Sequence, residues 1–241
     1  MTRRHRPASP ASRLARPGIV FLLSALLPVF GNLPLRGDSA PQGTLRTSPS
    51  GRHLVVVVDI NPHQQSVLPI ELALAEGIIQ KLDQAGNLFS VITFGSKSPI
   101  LLKSGVAAKE AVAAIRDIGL GEQRAESLSV QLYGALNLAF GQFTDDAGAN
   151  SLLIITEGND GIGKMFKQAV TRAQQLQVIC NVAMVANHPL YGSKAIPTFG
   201  FYLRELAAKT HGRYIEVGDR PKKVPRSIDR VSASILDQHR R

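Results

Sequence analysis

Residues Leu54–Gln64 read LVVVVDINPHQ, four valines in a row running into Asp59. A strand with one face in water alternates apolar and polar residues. A run that is apolar at every position suits a strand covered on both faces, as in a mainly parallel sheet between two helical layers. Asp59, Asn61, Pro62 and His63 then place polar chemistry where this strand ends.

Working outward, the same alternation of strand and helix continues. His53–Asp59 is the first strand. Leu68, Leu72, Ala75, Ile79 and Leu82 are spaced as one helix face. Leu88–Gly95 (LFSVITFG) is a second strand, and Pro99–Lys103 a short third, expected to be an antiparallel edge. Ala107–Ile118 is Ala-rich and helical, and Leu132, Leu136, Ala139 and Phe143 mark another helix. Ser151–Thr156 and Val178–Val185 read as strands on either side of a Met165–Gln175 helix. Phe199, Leu203 and Leu206 form a helix face stopped by Gly212. Arg213–Val217 is a last strand and Val224–Gln238 a last amphipathic helix. The pattern specifies an α/β fold: a Rossmann-like three-layer α/β/α sandwich with a mainly parallel central sheet and one antiparallel edge strand. In such sheets ligands bind at the carboxyl ends of the strands. Attention therefore falls on the loops after Asp59, after Glu157 and over Ala186–Thr198.

The loop after Glu157 carries a competing signal. Leu152–Lys164 is LLIITEGNDGIGK, in which Gly158, Gly163 and Lys164 match the G-x-x-x-x-G-K spacing of a phosphate loop. Position 165 is Met, so the hydroxyl that should hold Mg²⁺ is missing. A nucleotide binder or enzyme using Gly158–Lys164 is the alternative reading, and nucleotide titration discriminates it.

The succession LVVVVD, then LYGAL at Leu132–Leu136, then LLIITEG at Leu152–Gly158 resembles the von Willebrand factor type A (VWA) domain, closest to its bacterial secreted relatives. The resemblance covers about Arg52 to Val217. It implies one divalent cation held by five side chains, with a partner's carboxylate completing the shell. The matching positions are Asp59, Asn61, His63, Ser129 (or Val130, depending on a one-residue shift) and Glu157. Only Asp59 keeps the residue type of the family pattern. Asn61 and His63 replace two serines, and Glu157 replaces an Asp. Mg²⁺ demands near-octahedral oxygen geometry, whereas Ca²⁺ tolerates looser cages, and His63 offers nitrogen, which Mg²⁺ disfavours. The implied site is degenerate: at most weak Ca²⁺ or Mg²⁺ binding, and no firm cofactor. The implied partner is a protein. Asp160, His188, Tyr191 and Lys194 sit on the loops of the expected partner-binding edge.

The rest of the chain bounds this reading. The formal net charge is +10, but Arg3, Arg4, Arg6, Arg13 and Arg16 crowd the N-terminus, and residues 219–241 form a basic C-terminal helix that packs on or extends the domain. The body between is close to neutral and Trp is absent, which argues against nucleic acid. Basic Met1–Pro17 precedes apolar Ile19–Phe30, so residues 1–31 are expected to be a signal peptide or N-terminal anchor. Residues 32–51 are a linker and 52–218 the VWA-like domain. Contact with a membrane is expected only through the N-terminal segment, and the domain is placed in the periplasm, the cell envelope or the medium. The single cysteine, Cys180, lies in an apolar run and reads as a buried hydrophobe. No nucleophile elbow, H-E-x-x-H or paired-Cys motif is present, so no catalysis is expected. Export has a direct check by cell fractionation: the full chain should partition with the envelope or medium, and a variant lacking Met1–Gly31 should stay in the cytosol. Uncleaved full-length chain free of membrane in the cytosol would refute it.

Overall fold

Val55, Val56, Val57 and Val58 are all fully excluded from solvent, and their alternation shows why the run contains no polar residue. The structure, a computed structural model, describes residues 51–61, 66–84, 86–95, 98–119, 128–143, 149–157, 163–186, 200–218 and 220–238. In strand β1 (Arg52–Asp59) Leu54, Val56 and Val58 enter one apolar layer, and Val55 and Val57 enter the other. Each buried valine contributes about 1.5–3 kcal/mol relative to exposure, so both faces of β1 drive folding.

The sheet has the order β3-β2-β1-β4-β5-β6. Strands β2 (Leu88–Phe94), β4 (Ala149–Thr156), β5 (Ile179–Ala186) and β6 (Tyr214–Gly218) run parallel to β1, and β3 (Ile100–Val106) runs antiparallel to β2. Helices α1 (Leu68–Lys81), α2 (Ala108–Arg116) and α6 (Val224–Gln238) cover one face. Helices α3 (Leu128–Phe140), α4 (Phe166–Gln175) and α5 (Phe201–Lys209) cover the other. The three-layer α/β/α sandwich with one antiparallel edge is therefore the observed architecture. Val56 stands opposite Val91 on one side and Leu153 on the other, which makes β1 the centre of the core.

Local departures from the sequence pattern have physical reasons. Strand β3 runs three residues beyond Lys103 to Val106. Gly105 takes a φ of +58°, and its N–H donates to Ser90 Oγ at 3.0 Å, so an irregular pairing extends the edge. The buried face of α1 is wider than the expected one: Leu68, Ala75, Ile79 and Leu82 are buried as expected, Leu72 only partly, and Leu74, Ile78 and Glu71 join the buried set. Phe143 lies past the end of α3, yet is buried with its ring edge-on to His53 at 5.5 Å. Phe199 is outside the described residues.

Helix α6 packs on α1, where Ile228 lies over Gly77; a Cβ at Gly77 would stand 2.3 Å from that side chain. Lys81 pairs with Asp229, and Arg116 pairs with Glu76. These exposed pairs tie three helices together at small energetic value. Cys180 is fully buried, its N–H donates to Thr210 Oγ1 at 3.1 Å, and burial pushes its thiol up to about 12. Such a thiol is unreactive at neutral pH. Among the described residues no helix is long and apolar enough to cross a membrane.

His53 makes a measurable prediction. It is buried, with Nε2 at 2.9 Å from Ser90 Oγ, and burial lowers its pKa from the ordinary 6.5. The folded state therefore keeps the ring neutral at pH values where the unfolded chain already protonates it. Its contribution is fully present above pH 6.5 and is lost as pH falls through the folded-state value. Denaturant titrations should show this decline in the wild type, and a His53→Gln variant should lack it.

Candidate functional site

The strand order places a switch point at the centre of the sheet. From β1 the chain moves outward through α1 to β2 and β3, then returns through α2 and α3 to β4 on the other side of β1. The connections leaving β1 and β4 diverge, which opens a crevice at their carboxyl ends. Asp59 ends β1, and Glu157 follows Thr156 at the end of β4.

Asp59 is only 1% exposed. Its Oδ1 accepts the Asn61 N–H at 3.1 Å, and its Oδ2 accepts the Thr156 hydroxyl at 2.9 Å. Hydrogen bonds of this kind are worth about 1.5–3 kcal/mol each where the acceptor is charged. The turn after Asp59 is closed by the Ile60 N–H bonding Phe94 O at 2.7 Å. Gly95 lies directly against this turn with φ +99°. A Cβ there would meet Asp59 Oδ1 at 2.6 Å and Asn61 N at 2.7 Å. Asn61 is also buried, at 4% exposure, and Glu157 is half-buried.

A third acid stands nearby. Glu71, in the first turn of α1, is fully buried, and neither carboxylate oxygen has a hydrogen-bond partner among the described residues. Burial, and then the charges of Asp59 and Glu157, raise its pKa well above the usual carboxylate range. The N-terminal end of α1 offsets part of that penalty for an anion. Gln131 of α3 is similarly buried, with an unpartnered Oε1.

The structure thus brings Asp59, Asn61 and Glu157 to the same sheet end. Ser129 falls in the first turn of α3, with its side chain outside the described residues. His63, Asp160, His188, Tyr191 and Lys194 are outside them as well, as is most of the Gly158–Lys164 loop. Sequence reasoning missed Thr156, Gly95 and Glu71 as parts of the site. The signal for Glu71 was present: it lies three residues after Leu68 and four before Ala75, on the apolar face of a helix, where a charge is unusual.

The divalent cation implied by the VWA resemblance can be tested against this geometry. Both oxygens of Asp59 already accept hydrogen bonds, and the Asn61 backbone and Thr156 hydroxyl stand beside them as donors rather than as carboxylate ligands. Among the described residues no three His, Cys, Asp or Glu side chains converge closely enough to hold a metal ion as they stand. Of the five matching positions, the structure describes the side chains of Asp59, Asn61 and Glu157.

No protein-family model and no curated protein matches the chain. Solved structures do match its fold. The conserved hypothetical protein BatB from Bacteroides thetaiotaomicron superposes with a TM-score of 0.61 at 18% identity, covering 79% of this chain and 100% of that one. An aerotolerance-related membrane protein from Bacteroides fragilis, carrying multiple mutations to serine, gives 0.57 at 17%, covering 78% and 100%. The VWA domain of SpRpn10 gives 0.52 at 10%, covering 74% and 94%. The fold is VWA-like.

The tight fit at Gly95 gives a differential test. Gly95→Ala should destabilise the chain by more than the roughly 1–3 kcal/mol cost of a strained backbone alone, because the new methyl also strikes the Asp59 turn. Gly105→Ala, also at positive φ but with nothing within 4 Å of the new methyl, should lose only the conformational part. Equal urea midpoints for the two variants would refute the close packing of Gly95 on Asp59.

Proposed function

We propose that this chain is an exported, non-enzymatic protein-binding module of VWA type, with a degenerate metal site at its binding edge. The observation that carries the reading is the meeting of Asp59, Asn61 and Glu157 at the switch point of a VWA-like sheet. A parallel sheet gathers the loops after β1, β4 and β5 at one end, and those loops offer a partner a continuous surface. Asp160, His188, Tyr191 and Lys194 belong to that surface on this reading. The basic, then apolar, N-terminus supports export, and the likeness to an aerotolerance-related membrane protein agrees with a cell-envelope setting.

The metal chemistry follows from the ligands. An amide and an imidazole at positions 61 and 63 stand where the intact pattern has small hydroxyls, and Glu157 adds a methylene to the reach of the second acid. Mg²⁺ tolerates neither change well. Partner recognition at this edge is accordingly independent of Mg²⁺.

Calorimetric titration of the full chain with Mg²⁺ should give no saturable binding below millimolar concentrations, and the Asn61→Ser, His63→Ser, Glu157→Asp triple variant should bind more tightly. Tight Mg²⁺ binding by the unaltered chain would falsify the degenerate site. In cross-linking from the cell envelope, Lys194→Glu or Asp160→Lys should remove a partner that Arg230→Glu retains. The opposite pattern would move the interface to α6.

A further inference from the structure

The two edges of the sheet are built differently. At β3 the pairing with β2 shifts register twice, and Gly105 takes a φ of +58°. Irregularities of this kind discourage a further strand. At β6 the pairing with β5 is regular along the whole strand. The Val182 N–H bonds Arg213 O at 2.8 Å. Backbone groups alternate in direction along a strand, so those of Glu216 face away from β5. Among the described residues no strand lies beyond β6 to take them up. A groove bounds this edge. A cavity of about 810 Å³ opens between the amino ends of β5 and β6 and helix α6, with His211, Arg213, Arg230 and Asp237 in its lining. A second, of about 330 Å³, lies between Arg204 of α5, Tyr214, Glu216 and Arg230. Both include Tyr214 and Arg230, so they join into one groove along the β6 edge. Its charge is unbalanced. Glu216 accepts from Arg204 at 3.1 Å. The side chains of Arg213 and Arg230 make no ion pair or hydrogen bond among the described residues, and the other acid of the lining is Asp237.

We propose that the β6 edge and this groove take up an acidic, extended segment of a protein partner, which adds to the six-stranded sheet as a further strand. Strand addition draws affinity from main-chain hydrogen bonds and specificity from alternate side chains. Ile215 and Val217 enter the layer of α6, and Tyr214 that of α5. An added strand alternates in the same way. Acids at every second position therefore meet Arg213 and Arg230, while the intervening side chains face the α5 side. Guanidinium groups match carboxylates in shape as well as charge. A second copy of this chain lacks the required chemistry, since its net charge is +10 and its terminal segments are basic. A nucleic acid would meet the arginines but offers no peptide main chain to β6. The groove lies at the amino ends of β5 and β6, opposite the loops of the protein-binding reading, and neither interface depends on the other.

The test is fluorescence anisotropy of the full chain with a labelled Asp-Val-Asp-Val-Asp-Val peptide. Saturable binding that weakens with added salt is expected. Arg213→Glu and Arg230→Glu should each weaken it about tenfold or more. Glu216→Pro removes an outward N–H, a change that edge strands accommodate; it should abolish binding, whereas Glu216→Gln should retain it. The same peptide with its backbone amides N-methylated keeps the charge and should not bind, and it carries the main-chain part of the test if the Glu216→Pro variant fails to fold. Absence of saturable binding overturns the proposal, as does undiminished binding by the N-methylated peptide or by both arginine variants. Displacement of the peptide by an equal concentration of oligothymidylate would also overturn it, in favour of a nucleic-acid surface. The partner cross-linked through the loops of Asp160 and Lys194 should be retained by Arg230→Glu, so failure of either interface leaves the other standing.

Discussion

The burial of β1 on both faces is the constraint on which the rest depends. A strand with helices above and below has no solvent-facing side, so its polar chemistry is confined to its ends. Asp59 is the first polar residue after five apolar ones, and it is still only 1% exposed. The backbone N–H of Asn61 and the hydroxyl of Thr156 donate hydrogen bonds to it there. Gly95 permits this arrangement by leaving out the one methyl that would occupy the same space. The central strand thus fixes the core and the position of the acid together.

Two kinds of charge in this molecule behave differently for that reason. Glu76 with Arg116 and Lys81 with Asp229 are exposed pairs that bridge helices on the outside of the sheet. Water screens them, and losing either would change stability little. Glu71 lies five residues before Glu76 on the same helix and faces inward, where burial and neighbouring acids raise its proton affinity. The same side chain on the same helix is incidental at one position and costly at the other; the dielectric around it makes the difference.

Most of the fold was legible because its signals are local and periodic. The valine run, the alternating strands and helices and the antiparallel edge all follow from residues that must be buried. Where the reading slipped, the deciding interaction was non-local. Strand β3 continues past Lys103 because Gly105 bonds to Ser90 on the neighbouring strand, and nothing near Gly105 in sequence announces that. The buried face of α1 is wider than its sequence stripe, taking in Leu74 and Ile78, because the helix meets α2 and α6 as well as β1. In the site, Asp59 and Glu157 were visible as acids ending apolar strands. Thr156 was hidden because its role depends on a partner 97 residues away. Glu71 was hidden because a helix face defined by its apolar members passes over a charged one.

The site is best understood through the coupling of its acids. Asp59 accepts hydrogen bonds from the Asn61 N–H and the Thr156 hydroxyl. Its charge acts on Glu71 across a medium that screens poorly. Replacing Thr156 by valine would remove one of these donors; replacing Glu71 by glutamine would remove the acid on which the Asp59 charge acts. A group that brings positive charge to this edge, whether a metal ion or a basic side chain of a protein partner, relieves both acids at once. The family pattern meets that need with a cation caged by small hydroxyls. At the positions that the resemblance aligns with hydroxyls this chain carries Asn61, His63 and Ser129, and acids stand at both strand ends as Asp59 and Glu157.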